Sequence, residues 1–279
     1  MWAALERRQR ETAEPIHHIV RAALAEYLQL SHSTLFQVST SGALVEGIYK
    51  GAVDVARLRE LGDFGIGTFE GLDGEMVAME GRFYQVRSDS TVREADDGDL
   101  SPFAVVTWFE PERTIEIERC PDLDFLIRKL DSMRSSSNVF YAIRIDSALD
   151  SVHLRAMCRT EEGVPLVAAA ADQPEFHLGK VEGAMVGFWS PDYVKNIDIP
   201  GYHLHFITKD RSAGGHLLGL SGSGLRIGLQ QVTEMRVALP ATEEFLRADL
   251  TRDPSGELEY AERARPLRER ISSKSVRRP

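Results

Sequence analysis

Residues 200–219 read PGYHLHFITKDRSAGGHLLG. Two apolar-rich runs flank a polar connector that ends in Gly214-Gly215. This pattern predicts a strand, a turn and a returning strand, because polar residues and glycines supply the turn between hydrophobic runs. On a strand, residues i and i+2 share a face. His203 and His205 then point the same way, ~6.5–7 Å apart at Cα, with Leu204 directed into the core behind them. Two imidazoles so placed reach one metal ion at ~2.0–2.1 Å. His216 falls on the returning strand, and three histidines with an open fourth position are the form of a catalytic zinc site. A lone His-x-His is more often a pair of core or surface histidines. The third histidine on a return strand shifts the balance toward a metal.

Working outward, the same strand patterning recurs along the chain. KVEGAMVGFWSP (180–191) precedes the histidine strand, and IGL and MRVAL (227–229, 235–239) continue the meander after HLLGLSGSG. TLFQVST, SPFAVVTWFE and TIEIERC are further strands, and VFYAIRIDS and SVHLRAMCR form two more, about a hairpin apart. Asp73-Gly74 and Glu80-Gly81 are hairpin signals between apolar runs. Helices are expected over SGALVEGIYKG, VDVARLRELG, CPDLDFLIRKLDSM (120–133), PLVAAAADQ and TEEFLRADL, the last with Thr242 as N-cap. PIHHIVRAALAEYLQL (15–30) has apolar residues at helical spacing, and its His17 and His18 read as a solvated helix start. At 279 residues, one large or two modest domains are expected.

Composition sets limits. The 279 residues carry a formal charge of −10 with 27% charged and 43% hydrophobic residues. An acidic chain repels nucleic acid and anionic membranes. The basic residues of 263–279 read as a solvated tail without interleaved aromatics. Cys120 and Cys158 make no disulfide framework and no Cys-x-x-Cys pair. No secretory signal and no apolar run of ~20 residues is seen, so a cytoplasmic protein is expected.

The segment 200–219 resembles the metal-binding stretch of the acetolactate decarboxylase family. FQVSTSGALVEGIYKG, LGDFGIGTFEGLDGEMVAMEGRFYQV, SPFAVVTWFEP, FYAIRID, QPEFHLGKVEGAMVGFWSP and LPATEEFLRADL resemble the same family in the same order. The likeness runs from about residue 34 to about residue 262. It departs at Ser41-Gly42, where many relatives carry Met-Ser, and in the added ends. The resemblance implies a mixed α/β fold of two domains, with a mixed β-sheet in each part and flanking helices, zinc on His203, His205 and His216, and a homodimer. It also implies that Glu75, Arg155 and a tail glutamate serve the active site. Glu262 matches that last position best, with Glu257 and Glu259 close by. On their own residues, Glu75 reads as a solvated turn carboxylate and Arg155 as an edge cation. Arg144 is a similar candidate ranked below Arg155.

The expected organisation is an N-terminal helical extension (1–33), a mixed-sheet domain (34–174), a zinc-binding β-rich domain (175–250) and a tail contributing to the active site (251–279). The expected activity is decarboxylation of 2-acetolactate to acetoin and CO2, in acetoin and butanediol biosynthesis. Two alternatives stand beside it. A cupin-like dioxygenase or isomerase also uses His-x-His, but carries a glutamate about four residues later, and none follows His205 at that distance. A non-catalytic binder of an acidic metabolite would hold zinc structurally.

Overall fold

The computed structural model describes residues 1–12, 34–171 and 173–262, with positions 16, 19, 20, 23, 24 and 27. Helix α1 spans Trp2–Thr12. The six described positions within 15–30 are helical. His17, His18 and the basic end after Glu262 lie outside the described residues.

Thr34–Val38 (β1), Phe64–Thr68 (β3), Glu75–Met79 (β4), Arg82–Val86 (β5), Val92–Glu94 (β6), Phe103–Thr107 (β8) and Glu234–Ala238 (β15) build the first sheet. Its order is β15-β1-β8-β3-β4-β5-β6, with β15 parallel to β1 and the other pairs antiparallel. Val53–Asp54 (β2) and Leu100–Ser101 (β7) form a small ladder beside it. The second sheet contains Arg113–Cys120 (β9), Phe140–Arg155 (β10), Glu175–Leu178 (β11), Val181–Ser190 (β12), Gly201–Thr208 (β13) and Gly214–Val232 (β14). It is antiparallel throughout, and β10, β12, β13 and β14 pair in a closed circuit. Closure of this kind removes free edges from the strands that carry the histidines.

Short helices flank the sheets: Ser41–Val45 (α2), Val55–Leu61 (α3), Leu123–Met133 (α4), Leu166–Ala171 (α5), Glu243–Arg247 (α6) and Ser255–Glu262 (α7). Side chains at the caps explain several starts. Thr40, Asp54, Asp122 and Thr242 each accept a hydrogen bond from the backbone N–H three residues on, satisfying a donor that the first turn leaves unpaired. The largest core cluster draws on both sheets, from Ile66 and Val77 to Val186 and Ile207, and takes in Leu258 of α7. Strands β3 and β4 lie against β12 and β13, which sets the two sheets face to face.

The structure differs from the sequence expectations in four places. VFYAIRIDS and SVHLRAMCR form one strand, β10; its register with β14 shifts three times, and such bulges bend a ladder without ending it. HLLGLSGSG and IGL likewise form one strand, β14. Gly224, at φ 63°, accommodates the extra residue in the Ser-Gly stretch. MRVAL does not continue that meander but returns to the first sheet beside β1, where Thr34 Oγ1 donates to Glu234 Oε2 at 2.9 Å. Finally, the chain leaves the first sheet after β8 rather than near residue 174, since β9, β10 and β11 all pair within the second sheet, and it returns to the first only in β15.

Candidate metal centre

The site is a row of side chains across neighbouring strands. His205 of β13 stands opposite His216 of β14, and His216 stands opposite Arg155 of β10. Directly paired residues of an antiparallel ladder share a face, with Cβ atoms ~4.5–5.5 Å apart. His203 joins the row two residues before His205 on the same face. The ring centroids lie 4.9, 5.1 and 5.4 Å apart, and one nitrogen from each ring falls within 4.8 Å of the others. Gly215, immediately before His216, has φ 152°, and a Cβ there would meet the Arg155 carbonyl oxygen at 2.5 Å. Only glycine allows β14 this close to β10 at the site.

The first sheet and the tail add the carboxylates. Glu75 is the first residue of β4 and is buried, not a solvated turn residue. The turn before it holds Gly74 at φ 85°, with a Cβ there only 2.2 Å from the Val86 carbonyl oxygen. Thr68 Oγ1 donates to the Gly74 carbonyl at 2.7 Å, and Gln85 Nε2 to that of Asp73. Glu75 Oε1 accepts the Met157 N–H at 3.1 Å, and its Oε2 lies 3.5 Å from His205 Nε2. Glu262, the last residue of α7, places Oε2 at 3.6 Å from His203 Nε2 and 3.5 Å from His216 Nε2. Its Oε1 is 3.7 Å from Arg155 Nη2. The structure thus gathers Glu75, Arg155, His203, His205, His216 and Glu262. Arg144 is elsewhere, paired with Asp146 and Glu80. Glu257 pairs with Arg252 on the surface.

Electrostatics follow from burial. It pulls His203 and His205 down to about 3, helped by Arg155 at His203 and by His203 itself at His205. Burial, then Arg155, also holds His216 well below the ordinary histidine value. All three rings are therefore neutral, the form in which imidazole offers a lone pair to a metal. His205 Nδ1–H donates to the Met76 carbonyl at 2.8 Å. A carbonyl only accepts, so the lone pair of His205 sits on Nε2, facing His203 Nε2 at 3.1 Å. Burial raises Glu75 to about 7, against the pull of Arg155, and burial also raises Glu262. Glu262 Oε2 is buried without a hydrogen-bond partner among the described residues. A carboxylate oxygen left so costs free energy unless a cation meets it. Three neutral imidazoles and this oxygen are a donor set that fits a divalent cation.

The sequence does not single out the backbone contacts from Met76 and Met157, or the buried Asp198, which the charge of Glu262 influences. Asp198 accepts from Ser190 Oγ at 2.5 Å and from the Ile199 N–H at 2.8 Å. Nothing in Lys195-Asn196-Ile197-Asp198 marks it as buried. A cleft of about 920 Å³ between α4, the 192–202 segment and α7 reaches His216 and Glu262 from outside.

Fold and site together define a class: a mixed α/β protein with a three-histidine centre between two sheets, able to hold a metal beside an arginine and two carboxylates. The alpha-acetolactate decarboxylase family profile matches residues 35–252. Alpha-acetolactate decarboxylase of Methanosarcina mazei is 40% identical over 230 residues, 82% of this chain and 80% of the relative. That of Bacillus subtilis is 39% identical over 78% of this chain and 86% of its own length. The crystal structure of alpha-acetolactate decarboxylase from Bacillus subtilis strain 168 superposes with a TM-score of 0.81 at 38% identity, over 83% of this chain and all of that one. The chain belongs to the alpha-acetolactate decarboxylase family.

Proposed function

We propose that this site decarboxylates 2-acetolactate to acetoin and CO2 with a zinc ion on His203, His205 and His216. The chain is a carboxy-lyase of the acetoin route. The observation that supports the site assignment is the convergence of three neutral, buried histidines with Arg155, Glu75 and Glu262. When bound, the zinc supplies Lewis-acid stabilisation of the negative charge that develops on the substrate's ketone oxygen.

The substrate carries a hydroxyl and a carboxylate on one carbon, next to a ketone. When the C–C bond to the carboxylate breaks, CO2 leaves and the electron pair passes into the neighbouring carbonyl as an enediolate. Arg155, held at the rim of the histidine row, places the departing carboxylate through its planar two-pronged guanidinium. Glu75 is on the opposite wall. Burial raises it to about 7, so a protonated fraction is present near neutral pH to deliver a proton to one face of the enediolate and fix one enantiomer of acetoin. Glu262 faces the histidines from the tail, so its position can open to substrate without disturbing the closed strand circuit.

Elemental analysis of the purified active protein tests the metal assignment. The expected content is about one zinc per chain. An active protein with metal content near zero contradicts it.

A further inference from the structure

Helix α7 runs Ser255–Glu262, two turns only. A helix this short does not hold itself in water. Its last residue nevertheless brings a carboxylate within 3.6 Å of two histidines. Its attachments must therefore set that position. Leu258 and Ala261 are buried in the main core cluster, and α7 packs against α5 and α2. These apolar contacts are non-directional and do not by themselves fix the helix's position.

At the C-terminal end His216 Nε2 donates to the Glu262 carbonyl at 3.2 Å, and a second set of directional contacts lies at the other end. Arg252 Nε pairs with Glu46 at the C-terminus of α2, and Arg252 Nη1 pairs with Glu257 in the first turn of α7. One guanidinium thus ties the body to the helix. Beside it, Lys195 Nζ meets Asp253 Oδ2 at 2.5 Å, and Asn196 Nδ2 donates to the Arg252 carbonyl at 3.2 Å. Asp253 Oδ1 in turn accepts the Ser255 N–H at 3.1 Å and its hydroxyl at 2.5 Å, at the start of α7. Glu46, Lys195 and Asn196 all belong to the body and grip two consecutive residues just ahead of the helix. At ~1.5 Å per residue, α7 carries that grip ~12 Å along to Glu262.

We infer that Arg252 is a positioning residue: its bridge between Glu46 and Glu257 fixes the tail so that Glu262 faces the histidine centre. The inference rests on Glu262 serving that centre. Arg252 touches neither the histidines nor Arg155 or Glu75 in any described contact, so it acts only through the helix. Its fork suits two carboxylates at once, which a lysine ammonium does not reproduce. Both ion pairs are partly exposed, so they are screened by salt.

The test combines kinetics on 2-acetolactate with hydrogen exchange of the full-length protein. Arg252→Ala is expected to lower kcat/KM about 3- to 10-fold, the scale of weak, partly exposed ion pairs, and to speed amide exchange in 255–262 while β10, β13 and β14 stay protected. Arg252→Lys should restore part of both. In a Glu262→Gln background, Arg252→Ala should remove no further activity but should still speed exchange. Unchanged exchange in α7 on Arg252→Ala overturns the inference, as does an equal loss of activity in both backgrounds. A fully active Glu262→Gln instead overturns the reading of Glu262, whatever α7 exchange shows.

Discussion

Single side chains separate the roles. Glu75→Gln keeps shape and loses the proton, so turnover should fall by ~10²-fold or more with metal content unchanged. If that variant loses its metal, Glu75 supports the ligands instead. Arg155→Lys keeps charge and loses the two-pronged geometry, and kinetics on 2-acetolactate should show weaker use of the substrate at normal metal content. Asp198 bears on stability. Burial raises it to about 6 from an ordinary aspartate value near 3.8, so the folded state favours its neutral form. The stability present below the ordinary value is then lost as pH rises through about 6. Asp198→Asn should close that gap, gaining about 1–3 kcal/mol over wild type at pH 7 but little at pH 4. Denaturant unfolding at the two pH values checks it; an equal difference at both would leave Asp198 without this role.

At the scale of elements, the site depends on how closely β14 approaches β10. Gly215→Val forces a branched side chain into a φ of 152° against the Arg155 carbonyl, a strain of about 1–3 kcal/mol or more. The variant should melt lower and bind less metal than wild type; normal values of both would mean β14 has slack. Much at this scale was legible beforehand. The alternation in Gly201–Ile207 and the Gly-Gly before His216 gave the strand pair, and Thr242 gave a helix start. What was not legible depended on long-range pairing. Alternation sets which face a strand buries but not its neighbour, so the sequence alone places MRVAL in the histidine meander although it pairs with β1. Bulges hid the continuity of β10 and β14, because a bulge and a loop look alike over three residues. Glu75 reads as solvated from Leu-Asp-Gly-Glu alone; it is buried because β13 packs over β4 from more than a hundred residues away. Family resemblance, not local pattern, pointed to it.

In the whole molecule, the histidine site lies where two sheets and the tail meet, and its side chains come from β4, β10, β13, β14 and α7. Helix α1 is largely exposed, and no described contact joins it to the site. A chain beginning near His32 should therefore stay folded and keep its turnover of 2-acetolactate; a soluble, folded but inactive product would show that the N-terminal segment completes the site or an interface. No helix among the described residues is long and apolar enough to cross a membrane. The most direct test of the account as a whole is to give the purified protein 2-acetolactate and follow acetoin and CO2, before and after a chelator strips the metal, and again after zinc is returned. The account predicts one acetoin for each CO2, activity lost in step with metal, and recovery with zinc. Undiminished acetoin formation by protein shown to be metal-free would contradict it.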